Sequence, residues 1–390
     1  MVVQHNLQAM NSNRMLGVTT SSQAKVTEKL SSGYKINRAA DDAAGLSISE
    51  KMRKQIRGLD QASNNAQDGV SAVQTAEGAL AEVHDMLQRM NELAVQAANG
   101  TNSTSDRTAI QNEIDQLTTE IDRVAETTKF NETYLLKGDP KSTETKTVTM
   151  KAHDAGLKGS LTVAADGKSA TFKPAALETS DKVMIGGKEY KIVTTGADQN
   201  NGLITLDTAK DLMKEELIKA NSIGLDAPLA DGKVTGDLTS GFTITMGEQT
   251  VANALSFNLH VGADADMTNK INVNIDTMNS AFLGVKGLDV VGTDGIGTQA
   301  TYAIDAIADA IQKVSDQRSA LGAVQNRLEH TIKNLDNVVE NTTAAESQIR
   351  DTDMASTMVE YTKNNILQQA GQSMLAQANQ STQGVLSLLG

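Results

Sequence analysis

The residue types that usually carry catalysis or bind metals are present but scattered. No histidine has a second ligand at metal-binding spacing, and the His-Glu-x-x-His zinc signature is absent. The five histidines are His5, His84, His153, His260 and His330. The chain has no cysteine, which excludes disulfides, thiolate metal sites and cysteine nucleophiles. Histidine and thiol chemistry is therefore not predicted.

The carboxylate and glycine motifs favour structural roles. Asp41 and Asp42 are adjacent, and neighbouring side chains on a helix do not face each other, so an acid–base pair is disfavoured. At the start of a long helix they would complement the helix dipole. The glycine-rich stretch 292–297 lacks dinucleotide-binding spacing, and the acidic stretch 264–269 lacks the glycine and closing glutamate of a calcium loop. We predict no enzyme, no catalytic residue, no cofactor and no metal site.

The composition limits the kind of core and the kind of partner. The 390 residues suffice for two or three domains of about 150 residues, but only 3% are aromatic, so small aliphatic side chains must fill the interior. A net charge of −13 disfavours nucleic acid and anionic membranes as partners. The start of the chain does not resemble a secretory signal peptide, and no run approaches the roughly 18 apolar residues of a membrane span. We expect a soluble protein that bypasses the general secretory route.

Apolar spacing predicts a very long helix in the first third of the chain. From Ile48 to Ala97 the apolar residues advance forty-nine positions in fourteen steps of three or four. A mean step of 3.5 residues is typical of a coiled-coil seam. Gly100 follows the predicted helix end, and Ser103 with Asp106 predicts a capping box that opens a second helix. The two helices should form an antiparallel hairpin.

A stripe of the same spacing returns between Ile304 and Ile349. A rod with one apolar stripe needs a partner, so the N-terminal hairpin and this C-terminal helix should pack together. The three prolines, Pro140, Pro174 and Pro228, all lie between these regions, which leaves the flanks free for long helices. The predicted fold is mainly α: a long antiparallel coiled-coil rod of N- and C-terminal segments, with β-hairpins and a small inserted β-rich (α+β) domain.

The middle of the chain predicts short strands. Residues 183–185 and 190–193 read as a hairpin with Gly-Gly at the turn. Further strands are predicted at 203–206 and 242–245, with a short helix at 209–221. A second β element, formed by 256–260 and 271–275, should cap the rod.

Both ends of the chain are uncharged. The first thirteen residues and the last twenty-seven, from Asn364 to Gly390, contain no Asp, Glu, Lys or Arg. Surface helices normally carry charge, so such ends predict burial against other protein. The candidate polymerisation residues are Leu7, Met10, Ile366, Leu367, Met374, Leu375, Val385, Leu386, Leu388 and Leu389.

Several long strings in these flanks resemble bacterial flagellin. They are MVVQHNLQAMN at 1–11, LSSG at 30–33, AADDAAGL at 39–46, LGAVQNRLE at 321–329 and the closing run 365–390. The resemblance covers residues 1 to 139 and 250 to 390, and the central insert carries none of it.

The resemblance implies a structural subunit that self-assembles into the flagellar filament for swimming. Flagellins are exported unfolded through the flagellum's own type III apparatus and polymerise under a cap protein. The implied partners are further copies of the chain, the cap and hook–filament junction proteins, and an export chaperone at the C-terminal segment. The implied location is secreted and extracellular, in the filament. The implied domains are terminal helices that are disordered in the monomer (1–43 and 350–390), a helical rod with a β-hairpin (44–139 and 250–349) and a solvent-exposed insert (140–249).

The resemblance also implies recognition by host Toll-like receptor 5. The matching positions are Leu87, Gln88, Arg89, Glu92, Leu93, Gln96 and, on the next helix, Glu113. Leu87 belongs to the predicted seam, whereas Arg89, Glu92, Leu93 and Gln96 are expected to lie off it. The charged residues among them can equally be solvated groups or contacts between subunits.

Two alternatives stay open from the residues alone. One is an intracellular coiled-coil adaptor that dimerises through its rod and binds a partner with its β insert. Such an adaptor has no need of uncharged ends, which favours the filament subunit. The other is a hook–filament junction protein, which the flagellin-like closing run disfavours.

Overall fold

The computed structural model describes residues 6–139, 142, 145–165, 167–225, 228–292 and 297–387, with side chains as far as residue 380. The chain divides into two compact units. The terminal unit comprises the described residues of 1–65, 261–269 and 331–390. The rod-and-insert unit comprises those of 66–260 and 270–330.

Helices dominate the structure, which confirms the predicted fold class. They are α1 (Leu7–Ser32), α2 (Ala43–Ala98), α3 (Thr104–Thr127), α4 (Leu206–Ala220), α5 (Ser280–Leu283), α6 (Thr298–Arg350) and α7 (Met354–Ser387). The two rod helices are the longest, with 56 residues in α2 and 53 in α6. In the part of the chain that the structure describes, no helix combines the length and hydropathy that crossing a membrane requires.

The strands lie between α3 and α6 in the sequence, and they form several small sheets. They are β1 (Lys129–Phe130), β2 (Thr133–Tyr134), β3 (Thr145–Thr149), β4 (Gly159–Val163), β5 (Ser169–Pro174), β6 (Lys182–Ile185), β7 (Lys188–Ile192), β8 (Leu203–Ile204), β9 (Val234–Asp237), β10 (Gly241–Thr245), β11 (Glu248–Ala252), β12 (Leu255–His260) and β13 (Lys270–Ile275). A four-stranded sheet has the order β4-β5-β10-β9, and a three-stranded sheet has the order β6-β7-β8. The pairs β1-β2, β3-β11 and β12-β13 form two-stranded sheets.

The predicted β-hairpin at 183–193 is confirmed, with β6 and β7 antiparallel around Gly186 and Gly187. Both turn residues have positive φ, 56° and 76°, a conformation that favours glycine. The predicted strand 203–206 is wrong in its second half. Thr205 is the N-cap of α4, because its side chain accepts a hydrogen bond from the Thr208 N–H, so the helix starts at Leu206.

In the main core of the rod-and-insert unit, α2, α3 and α6 form a three-helix cluster, and side chains from β11 to β13 and from the segment around α5 belong to the same core. Apolar side chains from all three helices belong to one buried group, as the predicted seams require. Its members include Leu80, Val83, Leu87 and Met90 of α2, Ile114 and Ile121 of α3, and Ile307 and Val314 of α6, all 0% exposed. The capping box is also confirmed, because the Ser103 hydroxyl and the Asp106 carboxylate each bind the other's backbone N–H.

A charged side chain that the sequence analysis did not single out lies inside this cluster. Arg107 is fully buried, and its guanidinium donates to the carbonyls of Ala97 (2.8 Å) and Asn99 (3.3 Å). These carbonyls belong to the end of α2, where backbone acceptors have no partner within the helix. Arg107 therefore ties the start of α3 to the end of α2.

The insert has an apolar cluster of its own, centred on Phe172 and Phe242, which are 0% exposed. One member, Tyr302, comes from α6, and its hydroxyl donates to Glu216 Oε2 at 2.8 Å. The insert is thus anchored to α6 by a buried aromatic ring within the same compact unit.

Candidate assembly surface

In the terminal unit, α1 and α7 pair in antiparallel order. Asn6 Nδ2 donates to the carbonyl of Ala378 at 3.1 Å, and Asn364 Nδ2 donates to Ser22 Oγ at 3.3 Å. At the other end of the pair, the Thr352 N–H donates to the carbonyl of Gly33 at 3.0 Å. Residue numbers therefore decrease along α7 in the direction in which they increase along α1.

Local signals define the limits of both helices. The Asn6 side chain accepts from the Ala9 N–H at 2.9 Å and caps the start of α1. Gly33 ends the helix in the left-handed conformation, with φ of 75°. The Asp353 side chain accepts from the Ala355 N–H at 2.9 Å and caps the start of α7.

The terminal unit contains a cluster of charged and aromatic side chains around Tyr34, just after α1, and Arg350, just before α7. The guanidinium of Arg350 lies 4.7 Å from the centre of the Tyr34 ring, and that of Arg53 lies 6.0 Å from it. Arg350 also pairs with Glu50 at 3.0 Å, and Arg53 with Glu346 at 3.3 Å. Ion pairs and cation–π contacts thus link the segment after α1 to the start of α2 and the end of α6.

The helix pair buries few side chains. In α1 only Val26 is buried, and among the described side chains of α7 only Thr357 and Ala378 are. We call the exposed large apolar side chains among those that the structure describes in these helices the assembly surface. Its members are Leu7, Met10, Met15, Val18, Met354, Met358, Val359, Ile366, Leu367 and Met374.

The assembly surface overlaps the candidate polymerisation residues in part. Five of them are exposed in it: Leu7, Met10, Ile366, Leu367 and Met374. Leu375 is half-buried. Leu388 and Leu389 lie outside the described residues, as do the side chains of Val385 and Leu386.

Five members of the assembly surface were not among the candidate polymerisation residues, although they lie in the terminal segments 1–43 and 350–390 that the resemblance assigned to assembly. They are Met15, Val18, Met354, Met358 and Val359. They lie outside the uncharged stretches, after Arg14 in α1 and before Glu360 and Lys363 in α7. The signal for them in the sequence is a set of apolar residues at helical spacing with no second apolar stripe in the chain to cover it.

The residues matched to receptor recognition lie in the rod-and-insert unit. Arg89 Nε donates to Glu113 Oε1 at 2.9 Å, and its Nη1 donates to Glu92 Oε2 at 3.1 Å, so one side chain links α2 to α3. These hydrogen bonds raise the pKa of Arg89. Gln88 is exposed and hydrogen-bonds to His84 at 2.8 Å, and Gln96 is exposed as well.

Two leucines of that set are buried. Leu87 is 0% exposed, as its place in the seam predicts. Leu93 is 2% exposed, so the expectation that it lies off the buried face is wrong. Because α2 packs within a cluster that contains both α3 and α6, its buried face is wider than a single seam. The exposed part of the set is Gln88, Arg89, Glu92, Gln96 and Glu113, which we call the rod patch.

The adjacent carboxylates at the start of α2 do not form an acid pair. Asp42 Oδ1 accepts from the Gly45 N–H at 2.9 Å and caps the helix. Asp41 Oδ2 accepts from the Arg38 N–H at 2.9 Å, and this bond lowers the pKa of Asp41. Across the described residues, no group of three or more His, Asp and Glu side chains is arranged to hold a metal ion.

Comparison with known proteins places this architecture in one family. Residues 3–141 match the model of the bacterial flagellin N-terminal helical region, and residues 304–389 match the C-terminal one. A flagellin of Clostridium tyrobutyricum is 43% identical over 98% of this chain and 100% of its own length. Flagellins of Halalkalibacterium halodurans (40% identical) and Bacillus subtilis (41%) align over the full length of both proteins. The chain therefore belongs to the bacterial flagellin family, and it is a self-assembling structural subunit of the flagellar filament rather than an enzyme.

Proposed function

We propose that the assembly surface is the part of the subunit that neighbouring copies bury in the filament. The main observation behind this proposal is the exposure of ten large apolar side chains on α1 and α7, two helices whose stretches nearest the chain ends carry no charge. Full burial of a Leu, Ile or Met side chain contributes about 1.5–3 kcal/mol as an upper estimate. Contact between copies is the simplest way for these side chains to leave water.

We propose further that residues 1–43 and 350–390 order on assembly and are disordered in the free subunit. The α1–α7 pair buries only a few side chains of its own, so its packing offsets little of the entropy lost on ordering. Folding of such segments is then coupled to binding of the next copy. Residues 44–139 and 250–349 would form the rod, and 140–249 the solvent-exposed insert.

Removal of residues 364–390 tests this function. The truncated chain should remain a folded, soluble monomer and should fail to extend short filament seeds, as seen by sedimentation velocity and electron microscopy. A chain that stays dimeric with or without the segment would instead support an intracellular adaptor.

A matched pair of variants carries the same substitution at two exposed valines, one inside the assembly surface and one outside it. Val359 is 70% exposed on α7, and Val163 is 56% exposed on β4 of the insert. Val359→Asp should abolish seed extension because it buries a charge between copies, whereas Val163→Asp should leave it intact. Equal loss in both variants would show that extension depends on general solubility and not on this surface.

The family also supports proposals about partners and location. The subunit would be secreted through the flagellar export apparatus, with its C-terminal segment held by an export chaperone. It would then assemble beneath the cap protein, beyond the hook–filament junction proteins, in the extracellular filament.

A second proposed function is recognition by Toll-like receptor 5 through the rod patch. The favouring observation is that its charged groups are exposed and held in place by the links from Arg89 to Glu92 and Glu113. Leu87 and Leu93 would contribute only by holding α2 in the cluster.

Arg89→Ala tests this second function and should weaken binding to the receptor ectodomain several-fold. The control is Arg123→Ala, which removes a comparably exposed arginine that pairs with Glu120 on α3. An unchanged binding isotherm for the Arg89 variant, or an equal loss in the control, would exclude the rod patch as the receptor site.

A further inference from the structure

Methionine makes up half of the assembly surface. Five of its ten members are methionines: Met10, Met15, Met354, Met358 and Met374. Only two of the eight exposed large apolar residues elsewhere in the described part of the chain are methionines, Met184 and Met267. Because the chain has no cysteine, the thioethers are its readily oxidised sulfur groups.

We propose that these five methionines form an oxidation site whose modification in the unassembled subunit blocks assembly. This inference rests on the proposed function of the assembly surface. The oxidant class is a peroxide, represented by hydrogen peroxide. The thioether sulfur attacks one oxygen of hydrogen peroxide, and an S–O bond forms as the O–O bond breaks. The departing hydroxide takes the proton of the transferred oxygen and leaves as water, so the sulfur loses two electrons and the peroxide gains them.

The consequence follows from the chemistry of the sulfoxide. Oxidation turns a flexible apolar side chain into a polar one with a strong hydrogen-bond acceptor. In water the acceptor is hydrated, so the free subunit tolerates it, but burial between copies removes that water and imposes a desolvation cost. The change therefore penalises assembly and spares the fold of the single subunit.

Burial in the filament should also protect the same sulfurs. Within the subunit, Met90 and Met278 are 0% and 1% exposed and are shielded from a peroxide in solution. Once copies cover the assembly surface, its five methionines acquire similar shielding. The site is then sensitive before assembly and resistant after it.

The test uses the full-length subunit, treated with hydrogen peroxide and then desalted. Peptide mass spectrometry measures sulfoxide at each methionine, circular dichroism measures helicity, and sedimentation after addition of filament seeds measures polymer. One variant carries M10L, M15L, M354L, M358L and M374L, which keeps an apolar side chain of similar volume at each position. The control variant carries M184L and M267L, which removes the exposed methionines outside the assembly surface.

Treated wild type and the control variant should lose seed extension relative to the same protein before treatment, with helicity retained, whereas the five-leucine variant should keep whatever rate of extension it shows before treatment. Preformed filaments should show slower sulfoxide formation at the five positions than free subunits. The inference is overturned if the five-leucine variant loses extension as wild type does, if oxidised wild type extends seeds, or if the five react equally fast in filaments. Failure of the untreated wild type to extend seeds would instead refute the proposed function itself.

Discussion

The α1–α7 pair and the three-helix cluster of α2, α3 and α6 contain similar aliphatic side chains that meet different surroundings. In the cluster, Leu80 and Leu87 are completely buried, whereas Leu7 and Ile366 of the pair are 70% and 61% exposed. A helix covered by two neighbours can bury a broad face, and a helix covered by one cannot. The number of neighbouring elements, and not the apolar content, decides whether a side chain stabilises the subunit or remains available to another copy.

The largest expected effect comes from the same substitution made in both regions. Leu87→Ala should lower the free energy of unfolding by about 2–5 kcal/mol, because it leaves a cavity at a site that is 0% exposed. Leu367→Ala, at a site that is 47% exposed, should leave the unfolding of the free subunit nearly unchanged and weaken seed extension. Chemical denaturation and sedimentation measure the two quantities. Equal destabilisation by both substitutions would remove the distinction between the regions.

A smaller effect is expected from the buried arginine of the three-helix cluster. Arg107→Ala should cost about 1.5–3 kcal/mol of unfolding free energy, because the carbonyls of Ala97 and Asn99 lose a charged donor. Arg123→Ala, on the exposed face of the same helix, should change the denaturation midpoint little, since exposed ion pairs contribute little. If the two variants unfold at the same denaturant concentration, Arg107 does not hold α2 to α3.

Sequence periodicity predicted the long helices well because the coiled-coil repeat is local. The seam residues from Ala62 to Ala97, the capping box and the Gly-Gly hairpin each depend on a few neighbours in the chain. Even so, Ile48, the first residue assigned to the seam, is 47% exposed in the terminal unit. Periodicity identifies the face that can be buried, but it does not identify where burial begins.

The features that sequence reasoning missed depend on distant parts of the chain. Leu93 is buried because α2 has more than one neighbour in its cluster, which no local pattern reports. Arginine is usually a surface residue, and Arg107 donates hydrogen bonds in the interior because α2 ends beside it. The pairing of β3 with β11 joins strands about a hundred residues apart, and alternating hydrophobicity does not specify that partner.

The smallest effect concerns the capping box at the start of α3. Ser103→Ala should lower the free energy of unfolding by about 1 kcal/mol at neutral pH, because the Asp106 N–H loses the hydroxyl that caps it at 3.2 Å. The Ser103 hydroxyl and N–H also donate to Asp106 Oδ2, at 2.7 and 3.0 Å, and these bonds lower the pKa of Asp106 from its model-peptide value of 3.8.

A carboxylate whose pKa is lower in the folded state contributes stability above the unfolded pKa and loses it as the pH falls through the folded value. The contribution of Asp106 should therefore be complete above about pH 4 and decline below it. The Ser103→Ala variant should show a shallower decline in that acidic range than wild type, measured by denaturant titration at several pH values. Identical pH profiles would mean that the Ser103 hydroxyl does not set the pKa of Asp106, which the Ser103 N–H would then lower by itself. The hydroxyl would then stabilise the start of α3 only by accepting from the Asp106 N–H, and Arg107 would be the charged group that matters at this end of the three-helix cluster.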